Sequence, residues 1–159
     1  MLVDMAIMPI FTGVLVSCLE KNPVANTLIH IKTFALDALE LLDVKLNMPP
    51  IDPHFKSIEV NGEQRRQIFL IIKEAISNAI KHSGCSEIKI LAEAREEHRI
   101  FMTVIDNGKG FDVKEKFGQG YGLQNMRKRA RKLDANFNVE CKEGHYTRIA
   151  FDFEQALKK

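Results

Sequence analysis

Tryptophan is absent from this 159-residue chain, tyrosine occurs twice and cysteine three times. Ten phenylalanines supply most of an 8% aromatic content, which suits a packed core and makes a poor surface for stacking bases. The cysteines, Cys18, Cys85 and Cys141, are scattered and odd in number, against a disulfide framework. No CxxC or Cys/His cluster offers zinc ligands. A reduced, cytoplasmic setting is the simplest reading. Neither sign of charge dominates. Lys plus Arg is 23 against 21 Asp plus Glu, a formal net charge of +2, too balanced to announce nucleic acid or an anionic membrane as direct partner. A long apolar run is also missing. Met5 to Leu19 falls short of the roughly 20 residues of a spanning helix, is interrupted by Pro9 and Gly13, and has no preceding Lys or Arg to make a signal peptide. It reads as a partner-facing or terminal segment.

What is present is 45% hydrophobic and 28% charged, enough apolar mass for one packed domain and the wrong composition for disorder, collagen or a coiled coil. Asn22-Pro23 predicts a helix start, with Leu28, Ile31, Ala35, Leu39 and Leu42 at helical spacing through Asp43. Val44, Leu46 and Met48 alternate with polar residues as a short strand that Pro49-Pro50 ends, and Ile58 and Val60 suggest a brief edge strand. A second helix is capped by Asn61, with Gln64 at capping-box spacing, and runs with an apolar face from Ile68 to Ala79, ending near His82 before Ser83-Gly84. Strands follow at Ile88 to Ala92 and Ile100 to Ile105, then a turn at Asp106 to Gly110. Phe111 to Gly122 lacks periodicity and reads as a mobile loop. Leu123, Met126, Ala130 and Leu133 mark a third helix, and its Arg127, Lys128, Arg129, Arg131 and Lys132 read as a solvated face. Phe137 to Glu140 and Thr147 to Phe153 close the chain as strands turned at Glu143-Gly144. There is no repeat and no internal boundary.

Three segments carry chemistry. In the first, Glu74, Asn78 and His82 form one helical stripe with Lys81 beside it. Glu74 could orient or deprotonate a nucleophile, Asn78 could give a hard oxygen to Mg²⁺, and Lys81 could meet phosphate. Taken singly, each also fits a solvated helix face. In the second, Asp106 follows an apolar strand and needs donors where it starts to be buried; an adenine amino group would serve. Gly108 and Gly110 remove side chains where backbone would lie against a flat base. The plain alternative is an Asn-Gly turn with a capping Asp. In the third, Gly118, Gly120, Gly122 and Leu123 open directly into the third helix, where free backbone amides and the helix dipole hold phosphate oxygens. Spaced glycines alone are a weak signal. No βαβ unit surrounds them, so they are not a Rossmann fingerprint, and no GxxxxGKS/T loop is present.

In this order and spacing the segments resemble the N, G1 and G2 boxes of the ATP-binding domain shared by gyrase, heat-shock chaperone, histidine kinase and mismatch-repair ATPases. Lys73-Glu74-Ala75, Asn78-Ala79-Ile80-Lys81-His82-Ser83-Gly84 and Gly122-Leu123-Gln124-Asn125-Met126-Arg127 are similar to bacterial two-component sensor histidine kinases of the nitrate-sensor-like subfamily. The resemblance covers about residues 25 to 153. It implies a two-layer α/β sandwich of the Bergerat type, a mixed and mainly antiparallel sheet with three helices on one face. It implies ATP and Mg²⁺ as cofactors, Asn78 on the metal, Lys81 and His82 near the phosphates, and Asp106 on the adenine amino group. Thr147 would support the adenine through water, and it shares a strand face with Ile149 and Phe151. The last loop departs from the family pattern, reading Gly144-His145-Tyr146-Thr147.

The resemblance divides the chain into an apolar segment 1–24, read as a remnant of a dimerisation or linker region, and an ATPase domain 25–159. The expected function is to bind Mg-ATP and donate its γ-phosphate to a histidine on a separate dimerisation and phosphoacceptor domain, and through it to a response regulator. No His-Asp acceptor motif occurs in this chain, since His30 is followed by Ile31-Lys32; the chain reads as the catalytic half of a kinase. The full-length protein would be cytoplasmic, or the cytoplasmic part of a membrane-bound sensor. Two alternatives stay open: a stand-alone anti-sigma-factor serine kinase, and a nucleotide-binding regulatory module without turnover.

Overall fold

The computed structural model describes residues 22–95, 98–110 and 121–155. Gly118, Gly120, most of the expected mobile loop and nearly all of the N-terminal apolar segment lie outside the described residues. In chain order come α1 (Val24–Leu39), β1 (Lys45–Asn47), a 3₁₀ turn (Pro53–Lys56), α2 (Gly62–Asn78) continued by a π-helical turn (Ala79–Ser83), β2 (Glu87–Arg95), β3 (Arg99–Asp106), α3 (Tyr121–Lys132), β4 (Asn136–Lys142) and β5 (Tyr146–Glu154). The strands form one sheet in the order β1-β2-β3-β5-β4. β1 runs parallel to β2 and every other pairing is antiparallel, as expected of a mixed, mainly antiparallel sheet.

The best-formed helix is also the one whose start is plainest in the sequence. Asn61 Oδ1 accepts the Gln64 N–H at 2.7 Å while Gln64 Oε1 accepts the Asn61 N–H at 3.2 Å, a reciprocal capping box. Helical spacing then buries Ile68, Ile71, Ile72, Ala75 and Ile76 on one face. Strand alternation supplies the opposing surface: Ile88, Ile90, Ile100, Met102, Val104, Ile149, Phe151 and Phe153 are all buried in the same core. Each large apolar side chain so buried contributes about 1.5–3 kcal/mol relative to exposure, so the two patterns hold α2 on the sheet. α3 joins the helix layer through Leu123, Met126 and Ala130, with Arg127, Lys128, Arg131 and Lys132 exposed. A polar bridge ties it to α2, Arg129 Nη1 donating to the buried Gln67 Oε1 at 3.3 Å.

Three local expectations are corrected. Asn22 does not cap α1. The helix begins after an extended Pro23 that makes no side-chain cap, because Asn22 is spent elsewhere: its carbonyl accepts the Val60 N–H and its Oδ1 accepts Arg65 Nη1. α1 ends at Leu39 rather than Asp43, since Leu41, 95% exposed, has no core to turn toward. The Ile58–Val60 segment is an isolated bridge between Glu59 and Pro23, too short for a strand.

Candidate functional site

Four elements meet at one end of the sheet. β3 ends on Asp106, the second residue of β5, Thr147, lies beside it, and the two are directly opposed in register. The π-helical end of α2 and the first turn of α3 come over them. Between these parts lies a cavity of about 490 Å³, within the range of small-molecule pockets. Its lining includes Glu74, Asn78, Lys81, His82, Asp106, Gly110, Gly122, Leu123 and Thr147, so residues from four distant segments of the chain share one space.

The cavity has two chemically different ends. At the sheet end, Val104 and Ile149 form an apolar floor with Asp106 and Thr147 beside them. Asp106 is only 6% exposed, and burial pushes its carboxyl above the ordinary range, opposed by hydrogen bonds from the Gly108 N–H and the Ser83 hydroxyl. The Gly108 N–H reaches Asp106 Oδ1 at 2.9 Å, so the turn-capping role is real as well. Thr147, also 6% exposed, stands in a strand despite the unusual loop before it, with its Oγ1 3.5 Å from Cys141 Sγ.

At the other end, Glu74 and Asn78 are half-buried on α2, and Lys81 and His82 are exposed on its π-helical turn. A π turn is wider than an α turn, so it offsets Lys81 and His82 from a straight α-helical stripe; all four nonetheless line the cavity. At 1.5 Å per residue, Glu74 lies roughly 13 Å along the helix from Ser83, with Lys81 and His82 near the Ser83 side of that span. Gly122 is packed tightly here. A Cβ on it would lie 2.6 Å from Glu74 Oε1 and 3.0 Å from Asn78 Nδ2, so any side chain there would push the polar tips of Glu74 and Asn78 aside. The positive end of the α3 dipole thereby faces a carboxylate.

Among the described residues, no cluster of three or more His, Cys, Asp or Glu side chains gathers as a metal site. Asn78 offers a hard oxygen and Glu74 a carboxylate at the same spot. So sparse a donor set fits Mg²⁺, which keeps several waters and draws its remaining ligands from bound phosphates.

The glycines of the Asp106–Gly110 turn have neighbours within the chain. A Cβ on Gly108 would fall 2.4 Å from Ser83 Cβ, and one on Gly110, at φ +63°, would fall 2.7 Å from the Lys142 carbonyl oxygen. The turn is clamped between the end of α2 and the β4–β5 hairpin. Asn107 fixes it further, its Oδ1 accepting the Ser86 and Glu87 N–H groups, each at 2.9 Å. Sequence reasoning missed Ser83, Val104, Ile149, Ala75 and Ala79 as cavity residues. Period-two alternation from Asp106 and Thr147 points to Val104 and Ile149; nothing local marks Ser83 as more than a helix end.

Among the described residues, no helix is long and apolar enough to cross a membrane. A family profile described as histidine kinase-, DNA gyrase B- and HSP90-like ATPase matches residues 63–157. The chain is 36% identical over 110 residues to the sensor protein VraS of Staphylococcus epidermidis, covering 69% of this chain and 31% of that protein. It is 43% identical over 82 residues to VraS of Staphylococcus saprophyticus, covering 52% of this chain and 23% of that protein. It thus spans less than a third of the length of these curated relatives. Among solved structures, the histidine kinase domain from Erythrobacter litoralis EL346 blue-light activated histidine kinase aligns with a TM-score of 0.70 at 20% identity, over 84% of this chain and 61% of that one. The ATP binding domain of PrrB from Mycobacterium tuberculosis aligns with a TM-score of 0.66 at 19% identity, over 87% of this chain and 98% of that one. At such identities these two structures speak for the fold.

Proposed function

The chain belongs to the histidine kinase-, DNA gyrase B- and HSP90-like ATPase family, and from that premise we propose that it binds Mg-ATP in the cavity and donates the γ-phosphate to a histidine on a separate dimerisation and phosphoacceptor domain. A response regulator is the downstream partner and the reaction is cytoplasmic, the full-length protein being a soluble or membrane-bound sensor kinase. We assign residues 25–159 to the ATPase domain, and 1–24 to a dimerisation or linker segment.

The observation that carries the reading is the pairing of a buried carboxylate, Asp106, on an apolar floor with a polar rim of Glu74, Asn78, Lys81 and His82 across the same cavity. An adenine ring fills the apolar end, with its amino group donating to Asp106 and with Thr147 supporting the base. Lys81, His82 and the first amides of α3 would face the phosphates, and Asn78 would hold Mg²⁺. The metal, when bound, neutralises phosphate charge as it develops. Glu74 accepts a hydrogen bond from the incoming nucleophile and orients it. Phosphoryl transfer depends mostly on such positioning, so a chain holding the nucleotide end alone needs its acceptor supplied.

The test is radiolabelled ATP with and without an acceptor domain. The isolated chain should bind ATP or ADP, hydrolyse ATP slowly at most and take up little or no label; adding the acceptor domain should give acid-labile, base-stable phosphohistidine on that domain, reduced by Glu74→Ala. Robust label on this chain alone would refute the reading. Label on a serine of an anti-sigma partner system would identify the serine kinase alternative, and binding without transfer the regulatory module.

A further inference from the structure

Three strands present one row of side chains at the base end of the cavity. Asp106 on β3 and Cys141 on β4 both stand directly opposite Thr147 on β5, so the three share one face of the sheet. Asp106 and Thr147 line the cavity, whereas the half-buried Cys141 stands one strand further out and does not. Cys141 Sγ lies 3.5 Å from Thr147 Oγ1 and donates to the Tyr146 carbonyl oxygen at 3.4 Å. A Cβ on Gly110 would come 3.0 Å from the same sulfur, and the Gly144 N–H donates to the Lys109 carbonyl at 2.6 Å. The β4–β5 hairpin that carries Cys141 is thus fixed against the Asp106 turn.

These contacts assign the protons. A thiol has one, and the Tyr146 carbonyl, which can only accept, takes it. The contact with Thr147 is therefore an O–H donated to sulfur. A threonine hydroxyl also has a single proton, so Oγ1 turns its remaining lone pairs to the cavity. We propose that Cys141 is a positioning residue that sets base specificity: by taking the Thr147 proton it makes that hydroxyl an acceptor, so that Thr147 and the Asp106 carboxylate together demand donors from the base. This rests on the nucleotide reading above and adds to it a residue that touches no nucleotide. The 6-amino group of adenine, with two N–H bonds, meets the demand. A 6-oxo purine sets an acceptor against two acceptors, and buried polar groups left unpaired cost affinity. A water lying between Thr147 and Asp106 would donate to both and turn its own lone pairs to the base, which passes the same demand on.

The experiment compares calorimetric affinities of the full chain for Mg-ATP and for the Mg²⁺ complex of inosine triphosphate, which carries a 6-oxo group in place of the 6-amino group. The unaltered chain should prefer Mg-ATP. Cys141→Ala frees the Thr147 hydroxyl to turn and donate to the 6-oxo group, so the preference should narrow about 3- to 10-fold, the worth of one neutral hydrogen bond. Cys141→Val fills the same space without an acceptor and should narrow it equally; it carries the test if the alanine variant does not fold. Cys141→Ser, whose hydroxyl can both donate to the Tyr146 carbonyl and accept from Thr147, should keep the preference within about twofold. In a Thr147→Val background, Cys141→Ala should have almost no further effect on it. Equal affinity of the unaltered chain for the two nucleotides would overturn the proposal. So would an unchanged preference in the alanine and valine variants, or a serine variant that behaves as they do, each leaving nucleotide binding intact. Failure of the unaltered chain to bind either nucleotide would overturn the underlying reading, and this inference with it.

Discussion

Replacing Asp106 by asparagine should move stability and binding in opposite directions, and the structure sets both signs. Burial raises the carboxyl's pKa, opposed by two neutral donors, Gly108 N–H and the Ser83 hydroxyl. Folding therefore favours the protonated acid. The stabilising contribution of this group is complete below the unfolded pKa, about 4, and is lost as pH rises through the higher folded value. Asparagine does not ionise, so the variant should lose this pH dependence and be at least as stable as the unaltered chain at neutral pH. Binding goes the other way. The Gly108 N–H occupies Oδ1 at 2.9 Å, and the remaining acceptor capacity of a carboxylate is open to the base. Asparagine sets an amide donor against the donor of the base and removes the charge. A hydrogen bond to a charged group is worth roughly 1.5–3 kcal/mol, so Mg-ADP affinity should fall about 10- to 150-fold. In the unaltered chain, affinity should rise with pH through the folded pKa and then level off, because the base prefers the ionised carboxylate. Calorimetry with Mg-ADP, beside urea denaturation at pH 4 to 8, reads both quantities. Unchanged affinity with the fold intact would refute the assignment; affinity lost only in step with stability would make Asp106 a turn residue and nothing more.

Asn78→Ala should cost Mg²⁺-dependent ATP binding more than metal-free binding, and equal losses in the two conditions would make Asn78 structural. Gly122→Ala places a Cβ 2.6 Å from Glu74 Oε1. It should lower phosphotransfer to an added acceptor domain by at least about tenfold, the cost of roughly 1.4 kcal/mol of misplacement, while adenosine affinity changes little. Equal losses in both assays would tell against a role at the phosphate end alone. Thr27 Oγ1 is buried without a hydrogen-bond partner among the described residues. Thr27→Val should therefore raise stability by about 1 kcal/mol in a denaturant titration, and destabilisation would reveal a partner for that hydroxyl.

Where backbone periodicity decides the outcome, the sequence is readable. The buried Ile68, Ile71, Ile72 and Ile76 recur at helical spacing, Ile100, Met102 and Val104 alternate along β3, and Asn61 with Gln64 closes a capping box within one turn. Signals of that kind fail when a residue has a better partner far away. Asn22 is as good a cap on paper as Asn61, yet the Val60 N–H and Arg65 claim its oxygens, so the helix starts without it. The glycines of the Asp106 turn are visible in the sequence, but the partner that requires each of them is not. Gly108 is there for Ser83 and Gly110 for the hairpin carbonyl of Lys142.

The order of the main helices and strands, the apolar face of each and the residue types available for a nucleotide site are all legible along the chain. Each follows from local periodicity, capping and composition, which act within a few residues along the chain. Folding in three dimensions is what sets Asp106 opposite Thr147 on the neighbouring strand, joins the Ser83 carbonyl to the turn through the Lys109 N–H, and brings Glu74 and Asn78 against the first turn of α3 at Gly122. Those contacts come from stacking α2 on the sheet and α3 on α2, a packing of side-chain shapes that brings distant segments together and leaves no trace in the spacing of any one of them.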